Sequence, residues 1–202
     1  MDFELSEEQK GIKHAAYEFA KGEFNKDLIM ELIKNHSFPN QIHKKACQLG
    51  FVGMHYPENY GGQGYGILEN GLVIEEFCRQ DSSVGIALSI CNFASEIILR
   101  SGNEDQKRKY LIPLTKGEAI SAGAFTEPDH GSDITLMFTT AALDNGGFII
   151  NGTKTFISNG TIAQFAIVLC QTDLNAKPSY RGQSTILVET GREGFEIRER
   201  GI

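Results

Sequence analysis

The chain has 202 residues, of which 41% are hydrophobic and 22% charged, a composition typical of a soluble globular protein with one large or two small domains. Its formal net charge is −7, and neither side of residue 118 is basic, which argues against a nucleic-acid partner. No apolar run approaches the ~20 residues of a membrane span, and the acidic, polar start "MDFELSEEQK" is not a signal peptide, so we expect no membrane insertion.

Threonine is unevenly distributed and marks a change of secondary structure along the chain. Residues 1–118 contain a single threonine, whereas residues 119–202 contain ten. Threonine favours strands over helix interiors, because its branched side chain restricts χ1 in a helix. We therefore predict an α+β fold, with an all-α helical domain over residues 1–118 followed by a β-barrel-like middle domain over residues 119–202.

The first domain has the pattern of a series of short helices. Ser6 and Gln9 have capping-box spacing at the start of the first one. The face that this helix should bury consists of Ile12, Ala15, Ala16 and Phe19. Further helices are predicted over "DLIMELIKN", "NQIHKKACQLG" (ending at Gly50) and "ILENGLVIEEFCRQ", with "YPENYGGQGYG" as a loop.

Two more helices complete the predicted first domain. The stretch "SSVGIALSICNFASEIILRSG" is apolar on nearly all sides, which predicts one continuous helix buried in the bundle. A charged helix over "NEDQKRKYLIP" should then stop at Pro113, because proline has no N–H and its ring clashes with the preceding turn.

The second domain shows strand patterns separated by turns. Strands are predicted over "AISAGAFT", "QFAIVLCQT", "STILVET" and the start of "GFEIRER". Between the first two, "TTAALDNGGFIINGTKTFISNG" carries the turn signals Asn145-Gly146 and Asn151-Gly152 between alternating apolar residues. Because the chain stops directly after a strand, we interpret the domain as truncated at its C-terminal end.

The cysteines and histidines show no metal-ligand spacing, and we expect no metal site. No C-x-x-C pair is present, and each cysteine lies in an apolar or helical context, so we interpret all four as buried reduced thiols in the cytoplasm, or in the mitochondrial matrix if the source is a eukaryote. The four are Cys47, Cys78, Cys91 and Cys170.

Two common catalytic or cofactor patterns are not supported. The loop "GGQGYG" lacks G-x-G-x-x-G spacing and no strand precedes it, which favours a sharp turn between helices over a dinucleotide site. Ser132 is a possible nucleophile, but there is no G-x-S-x-G elbow and no histidine is placed to suggest a triad.

The stretch "FTEPDHGSD" (residues 125–133) is the strongest local signal. Pro128 ends sheet pairing, Gly131 permits a backbone conformation that other residues avoid, and Thr126, Ser132 and Asp133 supply hydroxyls and a carboxylate. Free amides and hydroxyls of such a loop suit an anionic, hydrogen-bonding ligand. A capped surface turn uses the same residue types, and the stretch by itself leaves both interpretations open.

The stretch "NGTKTFISNG" (residues 151–160) is the second signal. It has the pattern of a hairpin strand in which Phe156 is flanked by Lys154 and Ser158. Phe156 offers a ring for stacking on a flat ligand, although a core or cross-strand aromatic is the simpler interpretation of this residue alone.

Taken together, these motifs resemble those of the acyl-CoA dehydrogenase family. The family pattern T-E-P-x-x-G-S-D is present as "TEPDHGSD", and N-G-x-K-x-[WF]-I-[ST]-N-[GA] follows as "NGTKTFISNG". Upstream, "PENYGGQG" and "GNEDQKRKYLIPLTKGE" match two further family landmarks in the same order. The resemblance runs over the whole chain and departs from the pattern at Asp129-His130, where a pair of small residues is usual, and at Phe156, where tryptophan is frequent.

The resemblance implies an N-terminal helical domain, a middle β-barrel domain and a C-terminal four-helix domain, of which the third is absent from these 202 residues. It also implies FAD as cofactor, with Thr126 at the flavin ring edge and Ser132 at the pyrophosphate or the CoA. The complete set of implied cofactor-binding residues is Gly123, Ala124, Phe125, Thr126, Glu127, Gly131, Ser132, Phe156, Ile157 and Ser158, and Ser132 is also the implied substrate-binding residue.

The implied reaction removes a proton from the α carbon of an acyl-CoA thioester and a hydride from its β carbon. The resemblance places the catalytic base in the missing domain, so we name no catalytic residue and interpret Glu127 as structural. A few relatives with cyclic substrates place an acid in the N-terminal domain instead. In the corresponding stretch "LSICNFASEII", Cys91 and Asn92 are not bases of that kind, which leaves Glu96 as an outside candidate.

The implied partners are an acyl-CoA substrate, an electron-transfer flavoprotein as electron acceptor, and further copies of the chain in a homo-oligomer, usually a homotetramer. Three alternatives remain open at this point. The first is a non-catalytic remnant that binds flavin or acyl-CoA, and the second is a subunit that a partner chain completes. The third is part of an oxidase in which O2 reoxidises the flavin.

Overall fold

The computed structural model describes residues 4–198. The chain divides into two compact units, Met1–Ala119 and Ile120–Ile202, which are called the N-terminal unit and the C-terminal unit below. None of the helices within residues 4–198 combines the length and the apolar character that crossing a bilayer requires.

The N-terminal unit is helical, as predicted. Its helices are α1 (Glu7–Glu23), α2 (Lys26–Lys34), α3 (Asn40–Gln48), α4 (Ile67–Gln80), α5 (Ser82–Ser89), α6 (Ser95–Ser101) and α7 (Glu104–Thr115). Helix α1 begins with the expected capping box, in which Ser6 and Gln9 satisfy each other's backbone N–H groups, and α7 begins with the same device at Asn103 and Gln106.

Four phenylalanine rings form the centre of this unit. Phe77 on α4 lies 5.4 Å from both Phe19 and Phe51 and 5.7 Å from Phe24, measured between ring centroids. These separations are within the range in which tilted and edge-to-face rings attract one another. The α1 face differs in one respect from the prediction, because Ala16, Phe19 and Ala20 are buried whereas Ala15 is exposed.

The predicted continuous helix over residues 82–102 is wrong. The chain forms two helices, α5 and α6, and leaves the helical path between them at Ala94, whose φ is +66°. The cause is a buried hydroxyl: Tyr56 is fully buried, its Oη is in contact with Ser95 Oγ, and Asn92 Nδ2 donates to it at 2.9 Å. A residue of the break and the first residue of α6 thus supply the hydrogen bonds that a buried hydroxyl requires.

Helix α7 also differs from the prediction, since it continues two residues past Pro113 to Thr115. A proline costs a helix one hydrogen bond and some steric strain, which the last turn tolerates better than the middle. The carbonyl of Pro113 accepts hydrogen bonds from Glu118 N–H (2.9 Å) and Ala119 N–H (3.1 Å), so the end of the helix remains satisfied.

The "GGQGYG" loop is a sharp turn, as expected. Gly61 and Gly64 have φ angles of +84° and +71°, which favour glycine strongly. A Cβ on Gly62 would lie 2.0 Å from the carbonyl oxygen of Tyr56, so only glycine permits this close approach of two backbone segments.

The C-terminal unit is a mixed sheet. Its strands are β1 (Ser121–Ala124), β2 (Thr140–Asp144), β3 (Gly147–Asn151), β4 (Phe165–Gln171) and β5 (Gln183–Glu189). Strand β4 is central: β1 lies parallel to it from Ser121↔Phe165, and β5 lies antiparallel to it from Phe165↔Glu189. The β2–β3 hairpin has the predicted Asn145-Gly146 turn, with both residues at positive φ, and joins the end of β4 by one pair.

The α+β organisation is therefore confirmed, but the sheet is not closed. Within residues 4–198, each of the strands β1, β3 and β5 pairs with a single neighbouring strand. The predicted strand in "GFEIRER" is also not formed over residues 194–198, and residues 199 and 200 lie outside the described range. The sheet buries a core of small and branched residues that comprises Ala122, Ala124, Ala141, Ala163, Ala166, Val168 and Cys170.

Candidate functional site

The loop that follows β1 is an ordered turn. Glu127 N–H donates to the carbonyl of His130 at 2.8 Å, and His130 N–H donates back to the carbonyl of Glu127 at 3.3 Å, which places Pro128 and Asp129 at an exposed corner. Asp133 then accepts the amide N–H of Thr135 at 3.0 Å. The hydroxyl and the amide of Thr135 lower the pKa of Asp133 below its ordinary value.

Glu127 is the buried centre of this loop, with 4% of its surface exposed. Its Oε2 accepts Phe138 N–H at 2.6 Å, and its Oε1 accepts Thr139 N–H at 2.8 Å. Burial by itself raises the pKa of this carboxyl, but the bonds from Thr139, the Phe138 amide and Lys154 outweigh it and lower the pKa to about 2. A carboxylate of this kind is a permanent anion that fixes backbone, as the structural interpretation of Glu127 requires.

Lys154 joins this loop to the second sequence motif. Its Nζ lies 3.0 Å from Glu127 Oε1 and donates to the carbonyl of Phe125 at 3.0 Å. One residue further on, Thr155 N–H donates to the carbonyl of Thr126 at 2.9 Å. Two motifs whose joined residues are 27 positions apart in sequence therefore lie side by side.

The first group of predicted site residues runs from the sheet core to the surface. Gly123 and Ala124 are buried in β1, Phe125 and Thr126 are half-buried, and Glu127 is buried. Gly131 and Ser132 are exposed. The reason given for Gly131 was wrong, because its φ is not positive and a Cβ would have Thr126 Cγ2 as its nearest neighbour, at 3.8 Å.

The second group lies in an irregular segment, and the predicted strand there is wrong. After β3 ends at Asn151, no residue is in a strand until Phe165. Phe156 has a φ of +54°, a left-handed conformation that strands exclude and that costs a non-glycine residue about 1–2 kcal/mol. Its ring is 86% exposed, so it is neither a core nor a cross-strand aromatic.

Neighbouring residues hold this exposed ring in place. Ile157 packs against the core of the sheet, and Asn159 Nδ2 donates to the carbonyl of Ser121 in β1 at 3.1 Å. Ser158, between them, is exposed. Strained positive-φ residues that are held firmly by their surroundings concentrate at ligand sites, which makes Phe156 a candidate contact.

Several polar groups of the two segments have no hydrogen-bond partner in the part of the chain that the structure describes. Within residues 4–198, no hydrogen bond engages the amide N–H groups of Phe156, Ile157 and Ser158, nor those of Gly131 and Ser132. An exposed aromatic ring beside free amides and hydroxyls can hold a flat ligand on its face and along its edge.

Comparison with known proteins identifies the family. The model of the acyl-CoA dehydrogenase N-terminal domain matches residues 6–118, and that of the acyl-CoA dehydrogenase middle domain matches residues 122–201. The chain belongs to the acyl-CoA dehydrogenase family. It is 35% identical over 198 residues to a short-chain-specific acyl-CoA dehydrogenase of Clostridium acetobutylicum, covering 98% of this chain and 52% of that protein.

Two further family members show the range of its chemistry. The chain is 38% identical over 199 residues to an NADH-dependent acryloyl-CoA reductase of Anaerotignum propionicum, covering 98% of this chain and 50% of that protein. A glutaryl-CoA dehydrogenase from Mycobacterium smegmatis, solved in complex with FADH2, has a TM-score of 0.86 at 31% identity and covers 98% of this chain and 49% of its own. The chain thus spans about half the length of the relatives it matches.

The residues present fit a flavin. The ring of a flavin is flat and carries hydrogen-bonding atoms along its edge, which the exposed Phe156 ring, the Ser158 hydroxyl and the free amides of residues 156–158 complement. Gly131 and Ser132 add two further free amides and a hydroxyl, which are donors suited to phosphate oxygens.

The three polar residues named above in the N-terminal unit are buried or have side-chain partners. Cys91 is buried, and burial raises the pKa of its thiol far above its ordinary value. The side chain of Asn92 donates a hydrogen bond to the hydroxyl of Tyr56. Glu96 is half-exposed, and its carboxylate is in contact with His55 Nε2.

The depressed pKa of Glu127 predicts an acid-sensitive C-terminal unit. With a pKa of about 2 in the folded chain against an ordinary 4.5, the ionised carboxylate stabilises the fold above pH 4.5. That contribution, about 3 kcal/mol, is lost as the pH falls from 4.5 towards 2. Urea unfolding at pH 6 and pH 3 should therefore show a smaller loss in Glu127→Gln than in the unmodified chain. Equal losses in the two proteins would contradict the assigned pKa.

Lys154 and Asn159 are the site residues that the sequence interpretation did not assign. Lys154 lies inside the second motif, and the signal that could have identified it is an acidic residue in one motif and a basic residue in the other. Nothing in the sequence indicated that Asn159 anchors the turn to β1, because that contact depends on the packing of the segment on the sheet.

Proposed function

We propose that this chain forms the flavin-contacting portion of an FAD-dependent acyl-CoA dehydrogenase that oxidises an acyl-CoA thioester to its α,β-enoyl-CoA. The observation that supports this best is the pair of segments joined by Lys154, which present a half-buried Thr126 and an exposed Phe156 and Ser158 together. Bound FAD would supply the hydride acceptor.

The chain's own residues would bind the flavin and the substrate and orient them. Phe156 would lie against the flavin ring, and Thr126 and Ser158 would donate hydrogen bonds to its edge. Ser132, with its free amide and hydroxyl, would bind the pyrophosphate or the CoA of the substrate. Gly123 and Ala124 are buried in β1, and they would form the rigid strand from which the loop departs.

We assign no general base to these 202 residues. A base for a weakly acidic α-proton needs a pKa near the working pH. Glu127 has a pKa of about 2 and both its oxygens are engaged, so it is too weak a base and is not accessible. The acyl-CoA substrate, an electron-transfer flavoprotein as acceptor and a homo-oligomeric parent protein are parts of the same proposal.

Titration with FAD tests the proposal directly. We expect the chain to bind FAD weakly and Phe156→Ala to weaken that binding, since stacking on a flat heterocycle contributes about 1–3 kcal/mol, or about five- to 150-fold in Kd. Quenching of flavin fluorescence measures the Kd. The matched control is Phe148→Ala, a 47% exposed phenylalanine of β3. No binding by the unmodified chain, or equal Kd values for both variants, would contradict the proposal.

Turnover separates a flavin-binding portion from a complete enzyme. With FAD, a dye acceptor and short- to long-chain acyl-CoA thioesters, we expect no dye reduction by this chain alone, because we assign no general base to its residues. Reduction of the dye by any of these thioesters would show that a base is present and overturn that assignment.

A further inference from the structure

Lys154 and Thr155 hold the second motif against the first, and a further contact joins the second motif to Thr139, whose amide binds Glu127. Lys154 Nζ bonds the carbonyl of Phe125 and the carboxylate of Glu127, each at 3.0 Å. Thr155 N–H bonds the carbonyl of Thr126 at 2.9 Å. A Cβ on Gly152 would lie 2.7 Å from Thr139 Cα, so the two backbones touch there.

The ion pair at the centre is nearly closed to solvent. The side chains of Lys154 and Glu127 are 9% and 3% exposed. The remaining acceptor capacity of the carboxylate is used by the amides of Phe138 and Thr139. Since each charge of a buried pair has lost its hydration, neither group can leave the other without a large penalty, and the pair behaves as a rigid joint.

The position of this joint connects it with the exposed groups. Phe125 and Glu127 flank Thr126, so the ammonium binds the backbone carbonyl before that residue and the side-chain carboxylate after it. On the other segment, Phe156 follows Lys154 by two residues and has the left-handed φ of +54°. Loss of Lys154 would therefore remove one of the attachments that hold Phe156 in this strained conformation.

We propose that Lys154 and Glu127 are a positioning pair that sets the distance and orientation between Thr126 and Phe156, and with them the geometry of the flavin site. Neither residue need touch the flavin, because the ammonium acts through the two backbone segments that it joins. This role rests on the proposed function, since it presupposes that the two segments share one flavin.

Lys154→Met tests the role, with Lys13→Met as the matched control. Lys13 bridges Glu75 at 2.6 Å and the buried Glu76 at 3.4 Å in the N-terminal unit, so its loss also removes a lysine ion pair from the fold. FAD is titrated into each protein, and the Kd and the visible circular dichroism of the saturated complex are measured. Near-ultraviolet circular dichroism at low temperature verifies that each protein is folded.

The expected result is a Kd that rises about tenfold or more in Lys154→Met, the cost typical of losing a partner behind a binding residue. At saturation the visible dichroism of the bound flavin should also change, because the ring meets a displaced Thr126 and Phe156. Lys13→Met should match the unmodified chain in both measurements.

Two results would overturn the positioning role. One is an unchanged Kd in Lys154→Met, and the other is a weaker complex whose flavin dichroism at saturation is unaltered, which would indicate a purely structural pair. Failure of the unmodified chain to bind FAD would instead overturn the proposed function.

If Lys154→Met does not fold, Lys154→Arg carries the test. This substitution keeps the charge but moves the donor away from Phe125, so we expect a smaller change of the Kd and of the dichroism in the same direction.

Discussion

Glu127→Ala is expected to destabilise the C-terminal unit by about 3–5 kcal/mol, the cost of breaking a buried ion pair by removing one partner. The substitution leaves the nearly buried Lys154 ammonium without its counter-charge, and it leaves the partly buried amide of Phe138 and the buried amide of Thr139 without acceptors. Hydrogen–deuterium exchange of the β4 amides reports the loss for this unit specifically, because β4 is its central strand.

Glu75→Ala is the control for that substitution. Glu75 pairs with Lys13 at 2.6 Å, a shorter distance than that between Glu127 and Lys154, but its side chain is 49% exposed. Exposed pairs contribute about 0–1 kcal/mol, because water solvates both partners once they separate. Equal effects of the two substitutions would show that burial does not determine the strength of the Glu127 pair.

Phe77→Ala is expected to destabilise the N-terminal unit by about 3–5 kcal/mol, which combines lost apolar burial with a cavity that the neighbouring rings cannot fill. The side chain is 2% exposed and touches three other phenylalanine rings. Urea unfolding followed by far-ultraviolet circular dichroism measures the effect, since this unit contains the helices that dominate the signal.

Leu68→Ala on the same helix is the matched control. Leu68 is 56% exposed, so its truncation removes little buried surface and should change stability by at most about 0.5 kcal/mol. A loss in Phe77→Ala no larger than in Leu68→Ala would show that the aromatic cluster is not the core of this unit.

Local patterns were sufficient to predict most of the elements. The capping box at Ser6 and Gln9, the helix over "ILENGLVIEEFCRQ" and the Asn145-Gly146 hairpin turn all form where the sequence placed them. Each depends on residues within a few positions of one another, such as a side chain that caps the nearest free N–H or a pair that tolerates positive φ. Such contacts are present in any fold that contains the segment.

The errors fall where distant residues compete with local preference. The apolar stretch over residues 82–102 favours one helix, but the hydroxyl of Tyr56 binds Asn92, which lies between α5 and α6, and contacts Ser95, the first residue of α6. In the same way, Phe156 lies in a strand-like pattern, yet the bonds of Lys154, Thr155 and Asn159 to the β1 region impose a left-handed turn. No window of sequence contains both partners of these interactions.

The sequence by itself determined the family, the order of helical and β parts and the identity of the two motif segments, because these are written in residue types and their spacing. The tertiary structure decided how those segments meet. It buries the carboxylate of Glu127 against Lys154, exposes the ring of Phe156 and leaves the sheet open within residues 4–198. The physical reason is that the energy of a buried charge or a strained φ depends on groups far away in the chain, which only packing brings within bonding distance.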